Sequence, residues 1–381
     1  MTTVLVQVGI AHPEVSRCSL AYRWSGATWF GEPNRSEEDG AHFRPTKDDE
    51  CKTIDYAYFP SFCRLHLIRG FINCAMCKRL IFVCLVLAVL RFPDQLCAQF
   101  TDPRDYENTP MGVNQVEIAY AYARTNASID TSLIVASAEF NLNRGTIDYR
   151  RYFSFIHRIA WVKASIPLAG LDGSVSGTNI HGSIAGAGDS SYAFAALLKG
   201  GPALSVAQFA NYKPTTTLGV SLTITAPTGV YNADSLLNLG SHRWSFTPEI
   251  ALSHPFGPEQ EWEFDAYANA DFYTDNSAYL GTKILRQQGL PGLEGHISHS
   301  FTKSLWASVD MRYSFGGHTF INGVHQNNEQ QNFILGSEVN VSLNRQNLLV
   351  FQIVKALVHQ NGPAYTGFAV KYSYSWGRGY R

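Results

Sequence analysis

The chain has 381 residues, a formal net charge of −1, 16% charged residues and 13% aromatic residues. This balance excludes the basic surface that would attract nucleic acid, and the charged fraction is well below the roughly 25% of soluble domains. All seven cysteines lie at or before Cys97, so residues 99–381, which are long enough for one large all-β domain, contain none.

Residues 76–98 show the order of features of a secretory signal peptide. A basic start at Met76–Arg79 precedes an uncharged apolar run, Leu80–Leu90, and a polar stretch that ends at Ala98. The apolar run is about half the roughly 20 residues that a membrane-spanning helix needs. We therefore expect this leader to direct export and to be removed. Residues 1–75 show no sustained period, and we interpret them as an over-extended gene start or as a disordered extension.

Strict alternation of apolar and polar residues over long stretches predicts the fold. In the stretch 261–273, Trp262, Phe264 and Phe272 share one face and the acidic residues share the other, because side chains alternate along a strand. Strands of about 10 residues with aromatic ends fit a tilted crossing of a bilayer. Only a closed barrel pairs every backbone group of a sheet in lipid. The sequence therefore predicts a closed antiparallel transmembrane β-barrel at 114–376, with an apolar face toward lipid and a polar face toward the lumen.

Thirteen stretches alternate in this way, and since bacterial barrels have even strand numbers we expect about 12 strands, with 14 as the alternative. The stretches are 114–126, 131–142, 146–155, 158–168, 190–199, 215–226, 243–254, 261–273, 293–301, 305–315, 332–342, 348–358 and 365–376. Short connectors such as 302–304 alternate with long ones such as 274–291, which places the long loops outside the cell and the short turns in the periplasm. Residues 203–212 have the pattern of a short amphipathic helix. The segment 99–113 either precedes the barrel or folds inward as a plug, and 377–381 forms a tail.

Several loop motifs follow one another in a fixed order in this part of the chain. They are Gly186-Ala-Gly-Asp189, Pro227-Thr-Gly-Val-Tyr231, Asn238-Leu-Gly-Ser-His-Arg-Trp244, Phe272-Tyr-Thr-Asp-Asn276, His296-Ile-Ser298 and Gly316-Gly-His-Thr319. The series, over most of 110–376, resembles the bacterial outer-membrane family named for a meta-pathway of phenol degradation, which is distantly similar to long-chain fatty-acid and aromatic-hydrocarbon transporters. The resemblance implies an outer-membrane β-barrel that acts as a channel for small hydrophobic or aromatic compounds. It also implies contact with outer-membrane lipid and with the barrel-assembly machinery, although the tail after Trp376 departs from the terminal aromatic residue of such barrels.

The predicted lumen face carries the candidate residues of a solute path. They are Glu249, Glu261, Glu263, Asp265, Asp271, His296, Ser298, Asp310 and Arg312. The acidic members either select cations or form ion pairs with Arg243, Arg312 or Lys371. His296 and Ser298 share a face, which fits either a hydrogen-bond network in the lumen or the nucleophile and base of a lipid hydrolase.

Four further candidates near strand ends are expected to pin the long loops through charge-assisted hydrogen bonds. They are Asp189, Arg243, Asp275 and Asn276. The histidines show no tight metal-ligand spacing, and we expect no metal site, no catalytic residue and no cofactor. Three functions remain: a channel or transporter for small hydrophobic or aromatic compounds, a structural or surface-binding barrel whose long loops meet a partner, and an outer-membrane lipid hydrolase. The oligomeric state stays open.

Overall fold

The structure, a computed structural model, describes residues 101–126, 138–175, 181–235 and 237–380. The predicted signal peptide at 76–98 and the residues before it lie outside this part of the chain. Within it, no helix is long and apolar enough to cross a membrane. The expected helix in 203–212 is a single short helix, α1, at Val206–Phe209, which Ser205 caps.

Strands make up most of the described residues. Their bounds are β1 Val113–Thr125, β2 Ala138–Phe155, β3 Arg158–Val175, β4 His181–Ala187, β5 Ser190–Lys199, β6 Thr217–Ala226, β7 Ser245–Phe256, β8 Trp262–Tyr273, β9 Asn276–Tyr279, β10 Lys283–Gln287, β11 Leu290–Thr302, β12 Leu305–Gly316, β13 Thr319–Ile321, β14 Val324–His325, β15 Gln330–Ser342, β16 Asn347–Gln360 and β17 Tyr365–Gly377.

Twelve of the described strands close into one antiparallel barrel, in the order β1, β2, β3, β5, β6, β7, β8, β11, β12, β15, β16 and β17. Strand β4 continues β5 along the edge of β3, because β3 pairs first with β5, at Ala160–Ser165, and then with β4, at Leu168–Ser174. The N–H of Gly188 bridges the break between them by donating to the carbonyl of Pro167 (2.9 Å). The prediction of a closed barrel with about 12 strands is confirmed.

Thirteen stretches were predicted for a barrel of 12 strands because β2 was divided into two. The stretches 131–142 and 146–155 were expected to be two strands, but the described residues from Ala138 onward form one. Gly145 lies in the gap between the two stretches, and it pairs with Tyr120 on β1 and with Leu168 on β3. Pairing on both sides therefore overrides the weak strand preference of a glycine.

Exposure follows the predicted alternation of faces. On β8, Phe264 and Phe272 are 41% and 51% exposed, whereas Asp265 on the other face is fully buried. Ile118, Ile147 and Ile166 are direct register neighbours on β1, β2 and β3, and all three are exposed. The outer face of the barrel is apolar and the lumen face is polar, as a wall in lipid requires.

The two ends of the barrel differ in their connections. At one end, which we call the short-turn end, β2 and β3 are joined by Ile156 and His157 alone, both with positive φ as a two-residue hairpin requires. The first barrel residue, Val113, pairs with Gly377 at the same end. At the opposite, long-loop end, β9, β10, β13 and β14 form a separate four-stranded sheet across two loops.

Candidate functional site in the barrel lumen

The residues before β1, Thr101–Gly112, lie in the barrel lumen and form what we call the inner segment. It enters at the short-turn end, where the N–H of Gly112 donates to the carbonyl of Tyr152 (2.9 Å). At its other end the N–H of Thr101 donates to the Glu294 carboxylate on β11 (2.9 Å). The inner segment therefore runs along the lumen and contacts strands that lie more than 100 residues away in the sequence.

One wall of the lumen binds the inner segment through Arg104. Its guanidinium donates from Nε to the Ser298 hydroxyl (2.7 Å) and from Nη1 to the Ser300 hydroxyl (3.1 Å). The same group lies 4.6 Å from the centroid of the Trp306 ring, a cation–π distance. The backbone N–H of Arg104 donates to Asp265 (3.1 Å). Strands β8, β11 and β12 thus form a site that fits an arginine.

Glu249 on β7 is a second anchor for the inner segment. Its carboxylate accepts hydrogen bonds from Tyr106 Oη (2.8 Å), Thr101 Oγ1 (2.9 Å) and Asn269 Nδ2 (3.0 Å). The Tyr106 ring is buried and packs against Trp161, with ring centroids 5.3 Å apart. A buried carboxylate with three donors is satisfied without a cation.

The opposite wall is linked to the inner segment by ion pairs. Arg150 on β2 contacts Asp105 (2.5 Å), and Lys371 on β17 contacts Asp102 (2.5 Å) and Glu338 (3.4 Å). Burial alone would raise the pKa of Asp102, but the neighbouring cations, with Lys371 first, lower that pKa to about 2. Asp102 is therefore ionised at neutral pH and holds its pair.

In the part of the chain that the structure describes, two cavities lie along the inner segment between these contacts. One of about 500 Å³ extends toward the long-loop end, and one of about 230 Å³ extends toward the short-turn end. Both are bounded by the same charged residues around the inner segment. The shared residues are Asp102, Asp105, Glu117, Asp148, Arg150, Lys163 and Lys371. The lumen therefore contains space on both sides of a ring of charges, where the inner segment narrows it.

Eight of the nine predicted solute-path residues occupy three different positions. Glu249, Asp271 and Arg312 line the larger cavity. His296, Ser298 and Asp310 are fully buried in the wall, as is Asp265 behind Arg104, and Glu263 borders a smaller cavity of about 220 Å³ at the short-turn end.

Glu261, a predicted member of the solute path, lies at the N-terminal end of β8 and lines neither of the two lumen cavities. Strand β8 begins one residue later, and the Glu261 carboxylate accepts a hydrogen bond from the N–H of Glu259 (3.0 Å) in the turn. Its backbone carbonyl still accepts from the N–H of Ser300 on β11 (2.7 Å), so the backbone of Glu261 stays paired with the barrel while its carboxylate bonds within the turn. The partners of the acidic residues also differ from the predicted ion pairs with Arg243, Arg312 or Lys371. Glu249 and Asp265 instead accept hydrogen bonds from the inner segment.

His296 and Ser298 make hydrogen bonds with two different residues, Asp310 and Arg104. His296 Nδ1 lies 2.9 Å from Asp310 Oδ1, and Asp310 also accepts from the Ser308 hydroxyl (3.1 Å). Ser298 Oγ is the acceptor of Arg104 Nε. Both side chains belong to a buried polar network that supports the inner segment.

The four loop candidates make the following contacts near the long-loop end. Asp189 accepts from the N–H of Gly229 (2.8 Å) and from the N–H and the hydroxyl of Ser241 (2.7 Å each). Asn276 donates to Tyr231 Oη and to the carbonyl of Ser241 (3.0 Å each). These hydrogen bonds connect the loop 227–244 to its neighbours.

Arg243 and Asp275 interact with β10 and its surroundings. Arg243 donates to Gln287 Oε1 (2.6 Å) and lies over the Tyr273 ring at 4.2 Å. Asp275 accepts two hydrogen bonds from Arg286 (3.1 and 3.0 Å), which lower the pKa of Asp275. This second pair is exposed to solvent.

Sequence reasoning missed two cations of the lumen, Arg150 and Lys163. Arg150 on β2 pairs with Asp105, and Lys163 on β3 pairs with Asp148. Arg312, which was predicted, pairs with Glu294 on β11. The alternation in 144–150, where Arg144, Asp148 and Arg150 share a face, was the signal that could have found the β2 residues.

The comparisons with known proteins are consistent with this geometry. A model of the family described as "Putative MetA-pathway of phenol degradation" matches residues 124–372, which is more than half of the chain. No curated protein sequence matches the chain.

One solved structure shares the fold of this barrel, and two others are more distant. The COG4313 outer membrane channel from Pseudomonas putida F1 is similar with a TM-score of 0.61 and 22% identity, over 72% of this chain and 99% of that chain. The beta domain of the Bordetella autotransporter Brka gives 0.42 and 11% identity, over 70% of this chain and 100% of that chain. The toluene transporter TodX of Pseudomonas putida gives 0.37 and 9% identity, over 70% and 90%. Of these three, the first alone exceeds 0.5 and supports the fold.

Proposed function

Because the chain belongs to the phenol-degradation family whose model it matches, and has the fold of an outer-membrane channel, we propose that it conducts small solutes passively across the outer membrane. Aromatic compounds are the proposed class of solute. The signal-peptide pattern at 76–98 supports export, and the apolar outer face supports contact with lipid. In this proposal the short-turn end faces the periplasm, the long loops face outward, and the barrel-assembly machinery inserts the chain.

The observation that carries the proposal is the space inside the barrel. Two cavities of about 500 and 230 Å³ lie on either side of the inner segment, and they share a charged rim. A barrel with a purely structural role would gain stability by filling such space with side chains. Open space between the inner segment and the wall instead supports the passage of small solutes.

The inner segment sets the width of the proposed path. Solutes would pass between it and the wall of β1, β2, β3 and β17, where Asp105–Arg150 and Asp102–Lys371 cross the lumen. Glu249, Asp271 and Arg312 would meet the solute, because they line the larger cavity. The residues behind Arg104 would meet it only after the inner segment moves.

Two other functions are less well supported by the geometry. A lipid hydrolase needs a serine that its base activates and its substrate reaches, whereas Ser298 is buried and bonded to Arg104. A surface-binding barrel is favoured by one feature, the sheet of β9, β10, β13 and β14 across the long loops. That role is compatible with conduction and would be carried by the loops alone.

Liposome swelling tests the proposal. Purified full-length protein in phospholipid vesicles is expected to admit neutral solutes up to a size limit set by the narrowed lumen, with small sugars entering faster than disaccharides. Protein-free vesicles and vesicles with an unrelated sealed barrel are the controls. Vesicles that remain impermeable to every solute would contradict conduction and leave the surface-binding role.

A further inference from the structure

One arginine on the wall of the larger cavity lacks an anionic neighbour in the sheet. Arg144 on β2 lines this cavity, and its register partners are Ala121 on β1 and Ala169 on β3. The nearest carboxylate on the same face of β2 is Asp148, four residues and about 13 Å along the strand. The strand register thus separates Arg144 from any acidic residue beside it.

The other four cations that line this cavity all have carboxylate partners. The pairs are Arg150 with Asp105, Lys163 with Asp148, Lys371 with Asp102, and Arg312 with Glu294. Arg144 makes no ion pair or hydrogen bond within the described residues, and its Nε is buried without a partner. A cation that is partly removed from water and unpaired is costly unless an anion visits it.

The remaining carboxylates of the cavity wall are already held by neutral donors. Glu117 accepts from the Ser373 hydroxyl (2.5 Å), and Asp271 accepts from the Thr247 hydroxyl (2.5 Å). Glu249 accepts from three donors, as described above. The wall therefore satisfies its own anions and leaves one guanidinium available.

The surroundings of Arg144 also define the shape of the visiting anion. Its partner Ala121 lines the cavity, and so do Ala119, Ala193 and Ala195. The cavity of about 500 Å³ is within the roughly 300–1,000 Å³ of small-molecule sites. A guanidinium binds a carboxylate with two parallel hydrogen bonds. The site thus offers a carboxylate-binding group beside apolar surface and open volume.

We propose that Arg144 binds the carboxylate of a small organic anion with an apolar body, such as an aromatic acid, in the larger cavity. The inference rests on the proposed channel function and names the class of solute that the lumen retains. Arg144 is a specificity-determining residue in this account, and Ala121 and the other alanines that line the cavity leave space for the ring.

Equilibrium binding to the purified full-length protein in detergent micelles tests the site without requiring conduction. Isothermal titration calorimetry with benzoate is expected to show binding that Arg144→Gln weakens about tenfold, the value of one charge-assisted hydrogen bond or more. Arg144→Lys is expected to retain part of the affinity. Arg345→Gln, which removes the same charge from an exposed turn, is the matched control and is expected to bind as the wild type does.

Neutral benzyl alcohol tests whether binding needs the carboxylate, and inorganic phosphate tests whether it needs the apolar ring. Benzyl alcohol is expected to bind weakly and equally to wild type and Arg144→Gln, and phosphate to bind more weakly than benzoate. Equal benzoate affinity in wild type and Arg144→Gln, or no benzoate binding to the wild type, would overturn the proposal. Phosphate binding as tight as benzoate binding would overturn the organic-anion class. A failure to conduct KCl in bilayers would contradict the channel function and leave this binding result standing by itself.

Discussion

Replacing Arg104 by alanine is expected to loosen the inner segment without unfolding the barrel. The change removes hydrogen bonds to Ser298 and Ser300 and the contact with the Trp306 ring. The low ends of the usual ranges, about 1.5 kcal/mol for each bond from a charged donor and about 0.5 kcal/mol for the cation–π contact, give about 3.5 kcal/mol. The arginine recovers about 1.5 kcal/mol of side-chain entropy when it is released. A net loss of about 2 kcal/mol corresponds to about thirtyfold more opening of the segment.

Hydrogen–deuterium exchange measures this opening directly. The amide of residue 104 donates to Asp265 in the wild type, and its exchange is expected to quicken about thirtyfold in Arg104→Ala. The amides at the centre of β8 are expected to keep their slow exchange, because their bonds lie in the barrel ladder. Arg345→Ala, at an exposed turn, is the control. Unchanged exchange at residue 104, or faster exchange throughout β8, would refute the account of a separately docked segment.

Three further outcomes follow from the same structure. The Asp102–Lys371 pair should persist to about pH 4 and fail toward pH 2. The pKa of Asp102 is about 2 in the folded protein, below the ordinary 3.8 of an unfolded chain, so the pair stabilises the protein above pH 3.8 and loses this effect as the pH falls through the folded pKa. Hydrogen–deuterium exchange of the inner segment, measured against pH, checks this, and Asp102→Asn should abolish the pH dependence. Ile166→Arg, on the apolar outer face at the middle of β3, should destabilise the barrel by about 2–4 kcal/mol in denaturant unfolding from bilayers, if the proposed membrane location is right. The neighbouring lumen substitution Ser165→Asn should not. Asp189→Ala should destabilise the loop 227–244 by about 1–3 kcal/mol and speed its proteolysis, because the N–H groups of Gly229 and Ser241 lose their acceptor. Asp275→Ala, which removes an exposed ion pair, should change the cleavage rate little.

The barrel could be predicted from the sequence because its physics is periodic. An apolar outer face and a polar lumen face impose alternation on every strand, so the neighbours Phe264 and Asp265 point to opposite faces. The prediction failed where pairing outweighs local preference, as at Gly145 within β2, and where strands are short, as in β9 and β14 of the loop sheet. Strands of two to four residues are too short to show the alternation of apolar and polar residues that predicts a strand.

The contents of the lumen could not be predicted in the same way. The inner segment has no period, and its position depends on side chains from strands more than 100 residues away, such as Asp265 and Ser298 for Arg104. The alternation placed the acidic residues of β8 on the lumen face, but it could not show which groups they contact. The lone position of Arg144 depends on the register of β1 and β3, which places Ala121 and Ala169 beside it.

Single-channel recording in planar bilayers tests the central claim most directly, that this barrel conducts and that its inner segment limits the conductance. The full-length protein is expected to give discrete current steps in KCl, and a variant that lacks residues 101–108 is expected to give larger steps, because the two cavities then join. Barrel integrity in the variant is checked by heat-modifiable migration in gels. The absence of current from both proteins, or equal steps from both while the variant remains folded, would contradict the account.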